Sequence, residues 1–147
     1  MKLKNYTSGV PIDRSVSNIE RKLVEAGATR ISKVYDGMKL TGVVFQIGNI
    51  VFKLPSRVDQ VEKAMMSEIR KPRPGTADRI RDQAARTAWK ILSEWAEIQV
   101  TLVRLQQAEA IEVFLPYVWD MKTDKTLFEK IKEGKFKMLS YEEPKNA

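Results

Sequence analysis

The chain of 147 residues has no cysteine and no histidine. Without thiols there is no disulfide framework and no thiolate nucleophile. Without imidazole there is no His-based triad, and the usual zinc ligand sets are excluded as well. Glycine is scarce, with 7 residues mostly placed at turns and helix ends. No Gly-rich phosphate loop is left over, and G-x-G-x-x-G, G-x-S-x-G and S-x-x-K are all missing. Long apolar runs are missing too. The best candidates, Gly42 to Val51 and Glu112 to Trp119, are interrupted or far short of the ~20 residues that cross a bilayer. The basic start Met1-Lys2-Leu3-Lys4 is not followed by the apolar core and cleavage site of a signal peptide. The expected location is therefore the cytoplasm, with no membrane partner. Glu94 and Glu97 form an i, i+3 acidic pair, but no further carboxylates converge on it to complete a metal site. The expectation is a non-enzymatic protein with no catalytic residue, no metal site and no cofactor.

What is present suits one ordinary domain, since a chain of about 150 residues can bury roughly 70% of its unfolded surface. Asp13 to Ala26 reads as a helix: Val16, Ile19, Leu23 and Ala26 recur at helical spacing, Ser17 and Glu20 suggest a capping box, and Gly27 is a stop signal. From Ala28 to Leu54 the period changes, and Asp36-Gly37 and Gly48-Asn49 mark the turns of a three-stranded meander. A two-residue loop at Gly48-Asn49 pairs Ile47 with Ile50, Phe45 with Phe52 and Val43 with Leu54 on one face. A three-residue loop at Asp36-Gly37-Met38 sets Ile31 opposite Val43 on that face.

Pro55 ends the meander, and Ser56 with Asp59 opens a helix from about Arg57 to Ile69. A Pro- and Gly-broken loop over residues 70–75 follows. Thr76 then caps a helix running from Ala77 to at least Gln106 without Gly or Pro. Ala84, Ala88, Ile91, Trp95, Ile98, Leu102 and Leu105 repeat at 4, 3, 4, 3 along it, a heptad seam. Part of that seam serves as the spine of the domain. The stretch Ile91, Trp95, Ile98, Leu102 and Leu105 is the candidate homodimer or higher-oligomer contact. Beyond Gln107, an aromatic segment with Tyr117 and Trp119 folds back on the core and places both at its edge. A short helix capped by Thr123 or Asp124 and stopped by Gly134 comes next, with an edge strand over residues 135–139 and a frayed tail over residues 141–147. The fold class expected is a single α+β domain.

The charge is localised. The chain carries 26 Lys+Arg against 19 Asp+Glu, a net +7. Arg70 to Lys90 holds seven basic residues and two acids, a local balance of +5, whereas Arg104 is the one basic residue between Ile91 and Met121. Arg79, Arg86 and Lys90 share a helical stripe, and Arg73 stands at the helix entrance. Free N–H groups and the helix dipole favour anions at that end. Arg73, Thr76, Arg79, Arg86 and Lys90 are thus the candidate phosphate-binding set, with Tyr117 and Trp119 as possible stacking partners. A plain solvated face, with Asp82 paired to Arg86, is the competing reading.

Several segments together carry a resemblance: Lys4-Asn-Tyr-Thr7, Val24-Glu-Ala-Gly27 before Asp36-Gly37, Phe52-Lys-Leu-Pro55, Gln83 through Trp95, and Val113-Phe-Leu-Pro-Tyr117. In this order they resemble a group of small uncharacterised proteins of bacteriophages and prophages, over most of the chain. That group carries no activity or site residue to transfer. What the resemblance implies is a protein acting in the host cell cytoplasm, as an inhibitor of host defence or a DNA-metabolism accessory. The expected partner is a phosphate-bearing ligand, nucleotide or nucleic acid, or a host defence protein. A structural or assembly role is the remaining alternative.

Overall fold

The computed structural model describes residues 3–134; the expected edge strand at 135–139 and the tail lie outside them. The architecture is α+β. Helix α1 (Ile12–Glu25) leads into strands β1 (Ala28–Asp36), β2 (Lys39–Ile47) and β3 (Ile50–Pro55), then α2 (Val58–Ser67) and the long α3 (Thr76–Arg104). A short α4 (Ala110–Phe114) and a 3-10 turn (Leu115–Tyr117) follow, then the two-residue strands β4 (Trp119–Asp120) and β5 (Lys125–Thr126), and finally α5 (Leu127–Lys132).

The sheet is an antiparallel meander in the order β1-β2-β3. Its second hairpin has the expected register, with Ile47 opposite Ile50, Phe45 opposite Phe52 and Val43 opposite Leu54. Apolar alternation leaves no other register that buries these residues together. The first hairpin departs from expectation. Asp36 pairs with Lys39 across a Gly37-Met38 turn, and Ile31 faces Phe45 rather than Val43. A bulge at Thr41 is the reason: Val34 pairs with Gly42 while Tyr35 pairs with Leu40. Without that extra residue the pairing would set Ile31 opposite Val44 on the wrong face, so the bulge returns it to the core. The Thr41 hydroxyl donates to the Val34 carbonyl at 3.2 Å, and the Thr41 carbonyl accepts from the Ser56 amide at 2.8 Å.

Three expected helix caps are corrected. Ser17 and Glu20 lie inside α1, which starts after Pro11, so the amides there already have partners. Ser56 does not cap α2, whose N-cap is Arg57; the Ser56 hydroxyl is buried without a hydrogen bond. Neither Thr123 nor Asp124 caps α5. Thr126 does, in a reciprocal capping box with Glu129, because β5 runs up to Thr126.

The main core joins the inner face of the sheet, α1 and the middle of α3. Phe45 and Phe52 stack at 5.0 Å. Phe114 meets Phe45 edge-on at 5.1 Å and Trp95 at 5.9 Å, so the segment after α3 closes the core as expected. A second cluster, Met65, Ile80 and Ala84, fastens α2 to the first third of α3. Across the long helix runs the N-terminal segment, held by polar bonds that sequence patterning does not expose. The Thr87 hydroxyl donates to the Asn5 carbonyl at 2.9 Å, Gln83 Nε2 to the Ser8 carbonyl at 3.0 Å, and Asn5 Nδ2 to Glu94 at 2.8 Å. Asn18 of α1 reaches Ser93 Oγ at 2.7 Å.

Buried Gly42 is required by close approach: a Cβ there would stand 2.7 Å from the Leu54 carbonyl oxygen. Gly42→Ala is expected to lower unfolding free energy by about 1–3 kcal/mol through overpacking of the ladder. Urea denaturation measures this, and an unchanged midpoint would contradict the close approach.

Candidate functional site

The start of α3 is built by the loop over residues 70–75. Gly75 adopts φ 84° at the N-cap position, a left-handed conformation that glycine takes without steric cost. Thr76 is buried and does not cap α3; it is the helix's first residue. Its hydroxyl accepts from the Arg73 amide at 3.0 Å, and its own amide donates to the Arg73 carbonyl at 3.0 Å. Thr76 therefore ties the loop to the helix instead of offering its oxygen to a ligand, and the αL glycine performs the entry that a capping side chain was expected to make.

An open depression of about 480 Å³ lies beside this turn, bordered by Ile69, Lys71, Arg73, Gly75, Thr76 and Arg79. Lys71, Arg73 and Arg79 are exposed, and no carboxylate borders the depression. Among the described residues none of the three is in an ion pair. Of the first-turn amides, that of Thr76 is taken by the Arg73 carbonyl and that of Arg79 by the Gly75 carbonyl, which leaves those of Ala77 and Asp78 at the same end. Lys71 was legible only as part of the basic run; the turn at Pro74-Gly75 brings it alongside Arg73.

The other two basic candidates stand apart from this group. Arg86 lies about 10 Å further along the helix axis and Lys90 about 16 Å. Arg86 donates to Gln83 Oε1 at 2.8 Å and so steadies the side chain that holds the N-terminal segment; the i, i+4 pairing with Asp82 is replaced by this bond. Lys90 is 3.7 Å from Glu94. Glu94, which also pairs with Lys4 at 3.2 Å, is an anchor. The hydrogen bond from Asn5 holds its carboxyl below the ordinary range, with Lys4 adding to the effect against the cost of burial.

The aromatic pair sits far along the chain, at the C-terminal edge of the core. Tyr117 packs edge-on against Trp95 at 5.7 Å. Trp119 donates its indole N–H to Asp124 at 2.9 Å, under Lys53 Nζ at 5.2 Å from the ring centroid. Neither residue borders the basic depression. The seam residues divide as well. Ile91, Ile98 and Leu105 are exposed at 41%, 59% and 62%, whereas Trp95 and Leu102 are half-buried. Of the seam, Ala84 and Ala88 are buried and Trp95 packs against Phe114; the other residues that the middle of α3 sends into the core are Trp89, Ser93, Ala96 and Val100, on the opposite side of the helix from Ile98.

The chain matches no protein-family model, and neither curated proteins nor solved structures provide a match. Among the described residues no three His, Cys, Asp or Glu side chains are placed to hold a metal ion, and no helix is long and apolar enough to cross a membrane.

Trp119 supplies a test of the C-terminal edge. Hydrogen bonds from Lys53 and then Trp119 hold Asp124 below its ordinary 3.8. A hydrogen bond from Lys130, followed by one from the Lys122 amide, takes Asp120 to about 2. Both pKa values are depressed by folding, so the contacts stabilise fully above the ordinary value and are lost as pH falls through the lowered one. Acidification from about pH 5 to pH 2 should release the β4–β5 turn before the core opens, with the Trp119 indole N–H exchanging about tenfold faster. Asp124→Asn should speed that exchange at neutral pH. Equal protection in the variant and the parent would refute the account.

Proposed function

We propose that this protein binds a small phosphate-bearing ligand of nucleotide size at the start of α3, without catalysis of its own. The reading is carried by one observation: Lys71, Arg73 and Arg79, none of them engaged by a carboxylate among the described residues, border a single depression at a helix N-terminus. Charge-assisted contacts from arginine to phosphate, added to the helix dipole and free amides, are the usual means of holding such an anion. Compactness favours a nucleotide over a nucleic acid. A protein tracking a phosphate backbone needs cations repeated along a surface, but Arg86 and Lys90 are engaged by Gln83 and Glu94.

Taken with the resemblance to small phage proteins, the role this supports is counter-defence, in which the host's nucleotide signal is sequestered. A second copy of the chain is the partner we assign to the outward stripe of Ile91, Ile98 and Leu105. These residues recur every seventh position along about 21 Å of helix, the spacing at which two helices pair.

Calorimetry against linear and cyclic nucleotides, inorganic pyrophosphate and a single-stranded oligonucleotide tests the ligand. Arg73→Ala and Arg79→Ala should each weaken nucleotide binding about tenfold or more, since a hydrogen bond to a charged group contributes roughly 1.5–3 kcal/mol. Lys90→Ala should leave it unchanged. If no nucleotide binds, or Arg79→Ala binds like the parent, the reading fails. An oligonucleotide bound more tightly than any nucleotide, with steep salt dependence, would favour the nucleic-acid alternative. Light scattering should give a dimer that Ile98→Glu converts to monomer; a monomeric parent would remove the second copy from the reading.

A further inference from the structure

Along α3 the positions Thr87, Ile91, Glu94, Ile98, Thr101 and Leu105 follow one another at intervals of four and three, so they fall on one stripe of the helix surface. That stripe is covered over its first half only. The N-terminal segment lies on it, fixed at Thr87 through the Asn5 carbonyl at 2.9 Å and at Glu94 through Asn5 Nδ2 at 2.8 Å and Lys4 Nζ at 3.2 Å. Beyond Glu94 the stripe is open: Ile98, Thr101 and Leu105 are all exposed. Each open apolar position is preceded by a charge, and the two charges have opposite signs, Glu97 before Ile98 and Arg104 before Leu105. Being seven residues apart, Glu97 and Arg104 line the same flank of the stripe. Glu97 is exposed and makes no ion pair with any of the described residues. Arg104 meets Glu25 at 3.3 Å with 61% of its side chain exposed. Glu25 is also held by Lys22 at 3.3 Å, and a guanidinium has donors to spare for a second carboxylate.

A second copy of α3 laid along the open stripe can run parallel or antiparallel. A parallel pair sets the charged flank against the opposite one, where Trp95, Gln99 and Leu102 give Glu97 and Arg104 no counter-charge. It also brings the two N-terminal segments to the same level. In an antiparallel pair a two-fold axis perpendicular to both helices brings like flanks together. Setting Ile98 level with its own copy then places Glu97 two residues, about 3 Å along the axis, from Glu97 of the second copy, and Arg104 equally near Lys90 of the second copy. Both are contacts of like charge. Setting Ile98 level with Leu105 of the second copy removes them. Glu97 now stands two residues from Arg104 of the second copy and Arg104 two residues from its Glu97, while the N-terminal segments lie at opposite ends of the pair.

Resting on the assignment of a second copy to this stripe, we propose that two chains pair antiparallel through the last turns of α3, with Ile98 of each level with Leu105 of the other and Thr101 beside the two-fold axis. Glu97 and Arg104 select this register by two reciprocal ion pairs. The contact is short and its ion pairs are solvent-exposed, so association is weak and falls with added salt. The arrangement also fixes where the two phosphate sites lie. With α3 pointing in opposite directions from a shared C-terminal end, the two basic depressions are on the order of 70 Å apart, and each takes its ligand without help from the other.

Because the chain has no cysteine, single introduced thiols report the register directly. Under mild oxidation Thr101→Cys alone should form a disulfide-linked dimer, since Thr101 meets its own copy, and a mixture of Ile98→Cys with Leu105→Cys should yield the mixed dimer. Ile98→Cys alone and Leu105→Cys alone should not exceed Met38→Cys, a collision control at 97% exposure. For each of them the axial offset of about 10 Å is more than a disulfide can span. Cross-linking of Ile98→Cys alone above the control overturns the register and leaves a second copy on the stripe. If no variant exceeds the control, the register is overturned, and a monomer by light scattering then removes the second copy as well. By sedimentation equilibrium, Glu97→Arg should weaken association about fivefold, and Glu97→Arg combined with Arg104→Glu should return it to within about twofold of the parent. A double variant as weak as Glu97→Arg overturns the reciprocal ion pairs. Where the double variant loses the native circular dichroism spectrum, the cysteine variants decide by the same outcomes.

Discussion

Everything in this structure is arranged to cover one helix that no single neighbour can cover. A helix of 29 residues extends about 43 Å, and α3 carries apolar residues around much of its circumference. Its first third is packed by α2 through Met65, Ile80 and Ala84. Its middle receives α1 and the inner face of the sheet, and the segment beyond it returns to place Phe114 between Phe45, Phe52 and Trp95. Each neighbour meets a different angular sector, so the polar residues of α3 are also divided among tasks. Gln83, Thr87 and Glu94 hold the N-terminal segment, and Ser93 meets α1.

That division separates the charged groups into functional and structural sets. A basic side chain beside a polar neighbour with an unfilled acceptor is drawn into the scaffold, as Arg86 is by Gln83 and Lys90 by Glu94. At the end of the helix, where the chain reverses through Pro74 and Gly75, there is no such neighbour. Lys71, Arg73 and Arg79 stay exposed there for want of a partner among the described residues. On another face of the same helix, Arg81 and Asp82 border a second cavity, which Asp13, Asp36, Asp59 and Glu62 also border. Arg79 and Asp82 are three residues apart but border different depressions, so α3 presents opposite fields to two sides of the molecule.

Much of this was readable in the sequence where local chemistry decides. The pairing of Phe45 with Phe52 follows from a two-residue Gly48-Asn49 turn and strict alternation. The order of elements follows from periodicity, and the basic concentration between Arg70 and Lys90 is a matter of counting. The helix caps were less legible, because several Ser and Thr residues near each helix start satisfy the same pattern. Thr76 looks like a cap, and only the backbone of Arg73 makes it a tie within the loop.

The sequence alone determined the α+β class, the second hairpin register, the presence of the long helix and the location of its charge, because each depends on residues within a few positions of one another; the end of that helix was not legible, since it stops at Arg104, short of the expected Gln106, which turns left-handed at φ 58°. Tertiary structure decided which seam residues face outward, which cations remain unpaired, and that five carboxylates from α1, the first hairpin turn, α2 and α3 share one cavity. Those outcomes depend on the rotation of α3 about its axis and on a one-residue bulge at Thr41. Both are set by how distant surfaces fit, and no local pattern encodes them.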